Sequence, residues 1–340
     1  SWTVQANRRG EEVKLTLPYG DPSANPEFDA LIPEDRDLQV LEARRYVCLK
    51  CIYGVDKNRL AVEMAKLSLW LTTLAKDKPF TFLDHALKHG DSLVGVDREQ
   101  LENWSFTRKA DGVGQQLPAF ASNLKKAIDI AVALRREITD SPVLTAKEQQ
   151  EKKRKLLLAD QAMSVFKLGG DLLVASHFSE DKPKERDSAR NRLSFEFLKA
   201  FTAAEERWFR DKGKLKEEIL NDVLAEVRAK ADDLLGEEHP FHWHFEFPEV
   251  FMQGDRSGFD AIIGNPPFAG GQKLTGNYGV PYRDFLVNVI ADGRKGSADL
   301  VSYFFLKATG LLEQGGNFGL IATNTIAQGD TRKVGLAHTV

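Results

Sequence analysis

The tetrapeptide Asn265-Pro266-Pro267-Phe268 puts an amide, two prolines and an aromatic ring in immediate succession. It follows the run Phe259-Asp260-Ala261-Ile262-Ile263-Gly264, whose length and apolar content predict a buried parallel strand. The prolines end any ladder of hydrogen bonds and hold the backbone extended. The strand should therefore finish in a stiff corner with an amide at its root and a ring at its tip. Such a corner suits a planar amino group: the Asn265 side-chain oxygen and the Pro266 carbonyl face its hydrogens while Phe268 stacks on its π face. An arylamine nitrogen is a weak nucleophile because its lone pair is delocalised into the ring. Two hydrogen bonds from its protons favour a pyramidal nitrogen and aim the lone pair at an electrophilic methyl, with no covalent intermediate required. The chemistry indicated is methylation of an exocyclic amine; the plainer alternative is a proline-rich turn after a strand.

The surrounding elements decide whether that corner has company. Cys51-Ile52-Tyr53-Gly54-Val55 reads as a short buried strand ending in Asp56, followed by a helix with Asn58 as its N-cap. Arg59, Glu63, Lys66, Thr73 and Lys76 form one polar stripe on that helix, and apolar residues cover the rest. So narrow a stripe predicts a helix mostly buried against a sheet. His89-Gly90-Asp91-Ser92-Leu93 lies where a third strand runs out. From about Leu117 to Glu238 the chain is charged, helix-forming and spaced in heptads, and reads as an inserted helical hairpin or bundle. The run Lys152-Lys153-Arg154-Lys155 within it is expected to be a solvated face. After Pro240 the alternation resumes: the corner, a Gly-rich loop at Ala269-Gly270-Gly271-Gln272, and a helix from Ala298 to Glu313 capped by Ser297. Gly315-Gly316 should stop that helix, and Phe318 to Thr323 gives one more buried strand.

The organisation expected is an irregular segment over 1–40, a first α/β part over 41–110, a helical insertion over 111–239 and a second α/β part over 240–340. Strand–helix alternation implies a doubly wound parallel sheet, in which ligands bind beyond the carboxyl ends of the strands. Asp56, Asp91 and Asn265 all fall at such ends. A carboxylate at Asp56 suits a ribose diol, and Asp91 could accept from the adenine amino group of a cofactor.

Composition removes several classes. A net charge of −3 is unlike a free-standing DNA-binding domain. No apolar stretch has membrane-spanning length, so no membrane partner and a cytoplasmic location are expected. Cys48 and Cys51, the two cysteines, form a lone C-x-x-C, and His242 and His244 share one face of an expected strand. Neither set has the further ligands a metal would need. Glu12-Val13-Lys14 matches the tail of a nuclease motif only as chance allows. The chain begins at Ser1 and reads as a piece of a larger parent polypeptide.

Together these motifs resemble the γ-type N6-adenine-specific DNA methyltransferases of large type IIG restriction–modification and phage-defence enzymes. The similarity rests on Asn265 to Phe268, on Tyr53 to Asn58 with Ala61 to Leu71, on His89 to Leu93, on Phe247-Pro248-Glu249-Val250-Phe251 and on Gly319 to Ile326. It runs from about residue 40 to the end. The resemblance implies an α/β, Rossmann-like methyltransferase fold with S-adenosyl-L-methionine as cofactor and double-stranded DNA as partner. It implies that Asp56 binds the cofactor ribose, Asp91 its adenine, and Asn265, Pro266, Pro267 and Phe268 a flipped-out target adenine. The family's Gly-rich turn after its first strand is absent, and Tyr19 to Ser23 is only superficially like it. The sheet expected is therefore incomplete, with a gap between the strands that carry Asp56 and Asn265, and the fragment alone is expected to be inactive. Two other readings remain: a methyltransferase of protein glutamine amides, and a degenerate, non-catalytic module serving as scaffold.

Overall fold

The structure, a computed structural model, describes residues 3–5, 14–16, 36–73, 82–107, 118–140, 146–210, 216–252 and 257–339. The Tyr19 to Ser23 segment and most of the nuclease-like triplet lie outside them. The chain divides into two compact units, one of Ser1–Gly54, Arg59–Lys88 and Thr139–Lys152, the other of Val55–Asn58, His89–Ile138 and Lys153–Val340.

The first unit contains an antiparallel pair, β1 (Thr3–Gln5) and β2 (Lys14–Thr16), and the helices α1 (Arg36–Lys50) and α2 (Arg59–Thr72). Arg45 donates to the Thr73 carbonyl at 2.9 Å and Lys66 pairs with Asp84 at 2.8 Å. Its small apolar cluster is Val62, Leu83 and Leu87 with Leu69 against them. The expectation of a mostly buried α2 is corrected: Val62 alone is buried there, and Leu60, Met64, Leu67 and Leu71 stand exposed, each about one turn from the next. A stripe of that kind needs a broad sheet over it, and the nearest strands in sequence, β3 (Gly54–Asp56) and β4 (Leu87–His89), make a sheet of only two.

The second unit holds the helical block: α3 (Arg98–Glu102), α4 (Pro118–Asp140), α5 (Ala146–Phe178, from Lys153 onward), α6 (Pro183–Arg210) and α7 (Lys216–Leu235). On α4 the buried positions Phe120, Leu124, Ala127, Ile128, Ala131, Val132, Arg135 and Ile138 recur at spacings of three and four, which is one face of a helix. Phe120 meets Phe166, Phe197 and Phe201 edge-on with centroids 5.3–6.0 Å apart, a favoured aromatic geometry. In the basic run of α5, Lys153 and Arg154 are exposed as a solvated face requires, but Lys152 is buried. Two short helices follow, α8 (Trp243–Glu246) and α9 (Pro248–Phe251). His242 and His244 therefore sit at a helical turn rather than on a strand.

The remainder is α/β. Strand β5 (Phe259–Gly264) pairs in parallel with β6 (Leu312–Leu320), and α10 (Leu274–Phe285) and α11 (Leu300–Leu311) lie in the crossover between them. Parallel pairing is as expected, but burial is not. Ile263 is 87% exposed and Ala261 is exposed as well, because the described strands pair two by two and β5 has a neighbour on one edge alone. One continuous doubly wound sheet is not formed among the described residues. The helix after Ser297 is also shifted: its N-cap is Asp299. Gly315 and Gly316, expected to stop that helix, lie inside β6, where Gly315 takes φ +82° and the register slips between Phe259 and Ala261. Glycine permits that backbone where other residues would be strained.

Candidate active site

The corner forms where the sequence places it. Asn265 follows β5 directly and is exposed, Pro266 is buried beneath it, and Phe268 is 58% exposed. Among the described residues none hydrogen-bonds to the Asn265 amide. Beside the ring opens a cleft of about 300 Å³ lined by Phe268, Ala269, Gly270, Asp299, Val301, Thr323, Asn324 and Thr325. Its walls are the two loops that leave the carboxyl ends of β5 and β6, the edge where parallel sheets hold ligands.

Asp299 joins those walls. One carboxylate oxygen accepts the Gly271 N–H at 3.0 Å and the other the Thr325 hydroxyl at 2.7 Å. Its own N–H donates to Thr331 Oγ1 at 3.2 Å, and the next N–H, of Leu300, donates to the Ala269 carbonyl at 2.9 Å. Gly271 is required here, since a Cβ would run into the backbone of Ser297 and Ala298. The sequence shows Asp299 only as an acidic residue early in a helix; its reach across to Gly271 and Thr325 carries no local signal.

The two aspartates differ sharply. Asp56 is exposed at the end of β3, and its Oδ1 accepts the Asn58 N–H at 2.7 Å, an Asx turn that leads into α2. Asp91 is 3% exposed and fully engaged. Its Oδ1 accepts the N–H groups of Leu93 at 2.9 Å and Val94 at 3.4 Å. Its Oδ2 accepts from Lys57 Nζ and from the Tyr282 hydroxyl, each at 3.0 Å. Those four donors match the acceptor capacity of a carboxylate. Lys57 also reaches Glu238 at 3.1 Å and lies 5.1 Å from the Tyr282 ring centre. Burial alone would lower the Lys57 pKa, but Asp91 and Glu238 together outweigh it and raise it. Burial, reinforced by the Asp91 charge, pushes the Tyr282 hydroxyl far above its usual range, so it stays a donor. Lys307 on α11 is held down to about 8 by burial, against the pull of Asp97 and Asp91. Tyr282 has no signature in the sequence, following as it does the non-helical Gly279 and Pro281 inside α10.

The segment ahead of β5 is fastened to the helical block. Arg135 of α4, its side chain 1% exposed, pairs with Glu249 at 2.6 Å and lies 5.8 Å from the Phe247 ring. His242 Nδ1 accepts the Val96 N–H at 3.0 Å, so its proton sits on Nε2, which donates to Asp171 at 3.1 Å. His244 Nδ1 accepts from the Arg98 N–H at 3.4 Å. These histidines are engaged in holding loops. Of the cysteines, Cys48 is buried and Cys51 exposed, and burial raises the Cys48 thiol pKa, with Cys51 adding to it. No described helix is long and apolar enough to cross a membrane.

No solved structure matches the chain. A protein of Methanocaldococcus jannaschii named "Putative type II restriction enzyme and methyltransferase" is 24% identical over 254 residues, which is 68% of this chain and 19% of that protein. The chain thus spans about a fifth of the relative's length. The family model described as Eco57I restriction-modification methylase matches residues 50–335, from just before β3 to just past α12 (Gly329–Val334), and the chain belongs to that restriction–modification methylase family.

Proposed function

We propose that this chain is the catalytic region of a DNA adenine-N6 methyltransferase within a restriction–modification enzyme. One observation carries the reading above the others: an exposed Asn265, engaged by no described residue, stands at the end of a parallel strand three residues before Phe268, which lines a cleft. Asn265 Oδ1 and the Pro266 carbonyl accept the two protons of the target amine, and Phe268 stacks on the base. A base paired in duplex cannot reach such a corner, so it must turn out of the stack, and a cleft of about 300 Å³ leaves room for one. Asp299 holds the two loops at a fixed spacing, which keeps the acceptors in place before the amine arrives.

S-adenosylmethionine, when bound, supplies the electrophilic methyl. The residues fit it in part. Asp56 is exposed and has an oxygen to offer a ribose diol. Asp91 presents no spare acceptor in this arrangement, and reads the cofactor adenine only where Lys57 or Tyr282 gives way.

The test is to incubate the protein with S-adenosylmethionine labelled in its methyl group and with unmethylated genomic DNA, then to digest the DNA to nucleosides. Label should appear in N6-methyladenine, and Asn265→Ala should lower its rate by about 100-fold or more. Label in a glutamine side chain of a protein acceptor would favour the amide reading. Transfer surviving Asn265→Ala would remove the corner from the chemistry.

A further inference from the structure

We infer that a rim of unpaired cations beside the Phe268 cleft is the surface on which this chain grips the phosphate backbone of duplex DNA. The inference rests on the proposed DNA substrate and names where it is held. Three segments make the rim. The turn Gly271–Lys273 abuts Ser297 and Ala298 through Gly271. The loop through Arg294 and Lys295 abuts α12, where Gly296 approaches Asp330 and Val334 and the Ser297 N–H donates to Asp330 at 2.9 Å. Helix α12 supplies Arg332 and Lys333. The turn and α12 adjoin the cleft, because Asp299 lines it and binds both Gly271 and Thr331, and the loop through Arg294 and Lys295 lies against α12.

Lys273, Lys295, Arg332 and Lys333 are exposed, and no described carboxylate pairs with any of them. Arg294 is half-buried, with its Nε donating to the Ala291 carbonyl at 2.7 Å. Of the nearby acids, Asp292 is exposed and Asp330 is committed to Ser297. On the helical block Lys155, Lys167, Arg186, Arg190 and Lys230 have carboxylate partners, while Lys125, Lys126, Lys153 and Lys184 are exposed with none described, so it is the place of the rim cations beside the cleft that sets them apart. A whole-chain charge of −3 conceals this local surplus. Cations left without partners around a cleft sized for one base are what flanking phosphates require. Such cations add affinity without reading sequence.

The experiment follows binding of a fluorescent duplex DNA to the full chain by anisotropy across a salt series. One variant carries Lys273→Ala, Lys295→Ala, Arg332→Ala and Lys333→Ala together. A control removes equal charge elsewhere, through Lys125→Ala, Lys126→Ala, Lys153→Ala and Lys184→Ala, all exposed positions on helices. For every phosphate that no longer meets a cation, the slope of log affinity against log salt should flatten by about 0.9. The rim variant should therefore give up about 3 to 4 in slope and about tenfold or more in affinity. The control should match the parent, and a variant with Arg332→Lys and Lys333→Arg, which keeps both charges, should bind as the parent does. Equal slopes in rim and control variants would overturn the inference, as would loss of RNA binding with duplex DNA binding intact. The outcome is separable from the methylation reading. Asn265→Ala should keep the parent slope, and if it kept methyl transfer while the rim variant lost DNA, the role given to the corner would be wrong and the surface right.

Discussion

Asn265 and Asp91 stand just past the ends of parallel-type strands, yet their surroundings are opposite. The amide is exposed and engaged by no described residue, whereas the carboxylate is 3% exposed and holds four donors. A polar group left open at a strand end costs nothing in water and is free for a ligand. A polar group buried there must be satisfied from within the chain. Position at the functional edge of a sheet therefore does not by itself identify a ligand group; the state of its hydrogen-bonding capacity separates the two.

Substitution at the two tips should separate stability from chemistry. Asp91→Ala leaves the Leu93 N–H and the Tyr282 hydroxyl without their acceptor, while the Val94 N–H keeps the residue 91 carbonyl at 3.2 Å and Lys57, which is 45% exposed, can turn to Glu238 and water. The expected loss is about 3 kcal/mol in urea unfolding, the cost of buried donors left unmade. Asn265→Ala should leave the urea midpoint where it is and act on turnover alone. Equal stability losses at both positions would erase the contrast.

A second contrast is in acid. His177 of α5 is buried among Phe106, Phe178 and Phe285, and its Nε2 donates to the Pro281 carbonyl at 3.0 Å. Burial lowers its pKa from 6.5 to about 4, with Arg186 adding to the effect. The folded state thus prefers the neutral ring: its contribution is complete above pH 6.5 and is lost as pH falls toward 4. By pH 5 the loss is about 2 kcal/mol. Urea midpoints followed from pH 7 to pH 5 should fall less in His177→Phe than in the parent. A parallel fall in both would place the acid sensitivity elsewhere.

These differences show what a sequence can carry. The corner is legible because its cause is local: a strand-forming run, then two prolines, then a ring, all within ten consecutive residues. The helices α4 to α7 are legible for a similar reason, since a repeat of three and four needs only the neighbouring turn. The state of Asp91 is not legible, because Lys57 lies 34 residues away and Tyr282 lies 191 away. Asp299 defeats sequence reading in the same manner: its role depends on Gly271 and Thr325, 28 and 26 positions distant. The burial of β5 and α2 is misread because an apolar pattern reports what a segment can cover, not whether a neighbour is present to be covered. Ile263 and Leu60 stay exposed on sound strand and helix patterns.

The smallest expected effect bears on whether Asp91 belongs to the site at all. Tyr282→Phe removes one hydroxyl donor from Asp91 Oδ2 and keeps the ring stacked on Tyr278, whose centroid is 5.1 Å away. A single buried hydrogen bond is worth about 1 kcal/mol, so the variant should be destabilised by about that amount. It also frees one acceptor position on a carboxylate that Lys57 still neutralises. If Asp91 is to read the adenine of a methyl donor, the opened position should strengthen binding of S-adenosylhomocysteine, the product that carries the same adenine, by several-fold in calorimetry. If Asp91 serves only to tie β4 to α10, stability should fall and that affinity should not rise. Falling stability with rising affinity is a pair of signs that a purely structural aspartate has no means of producing.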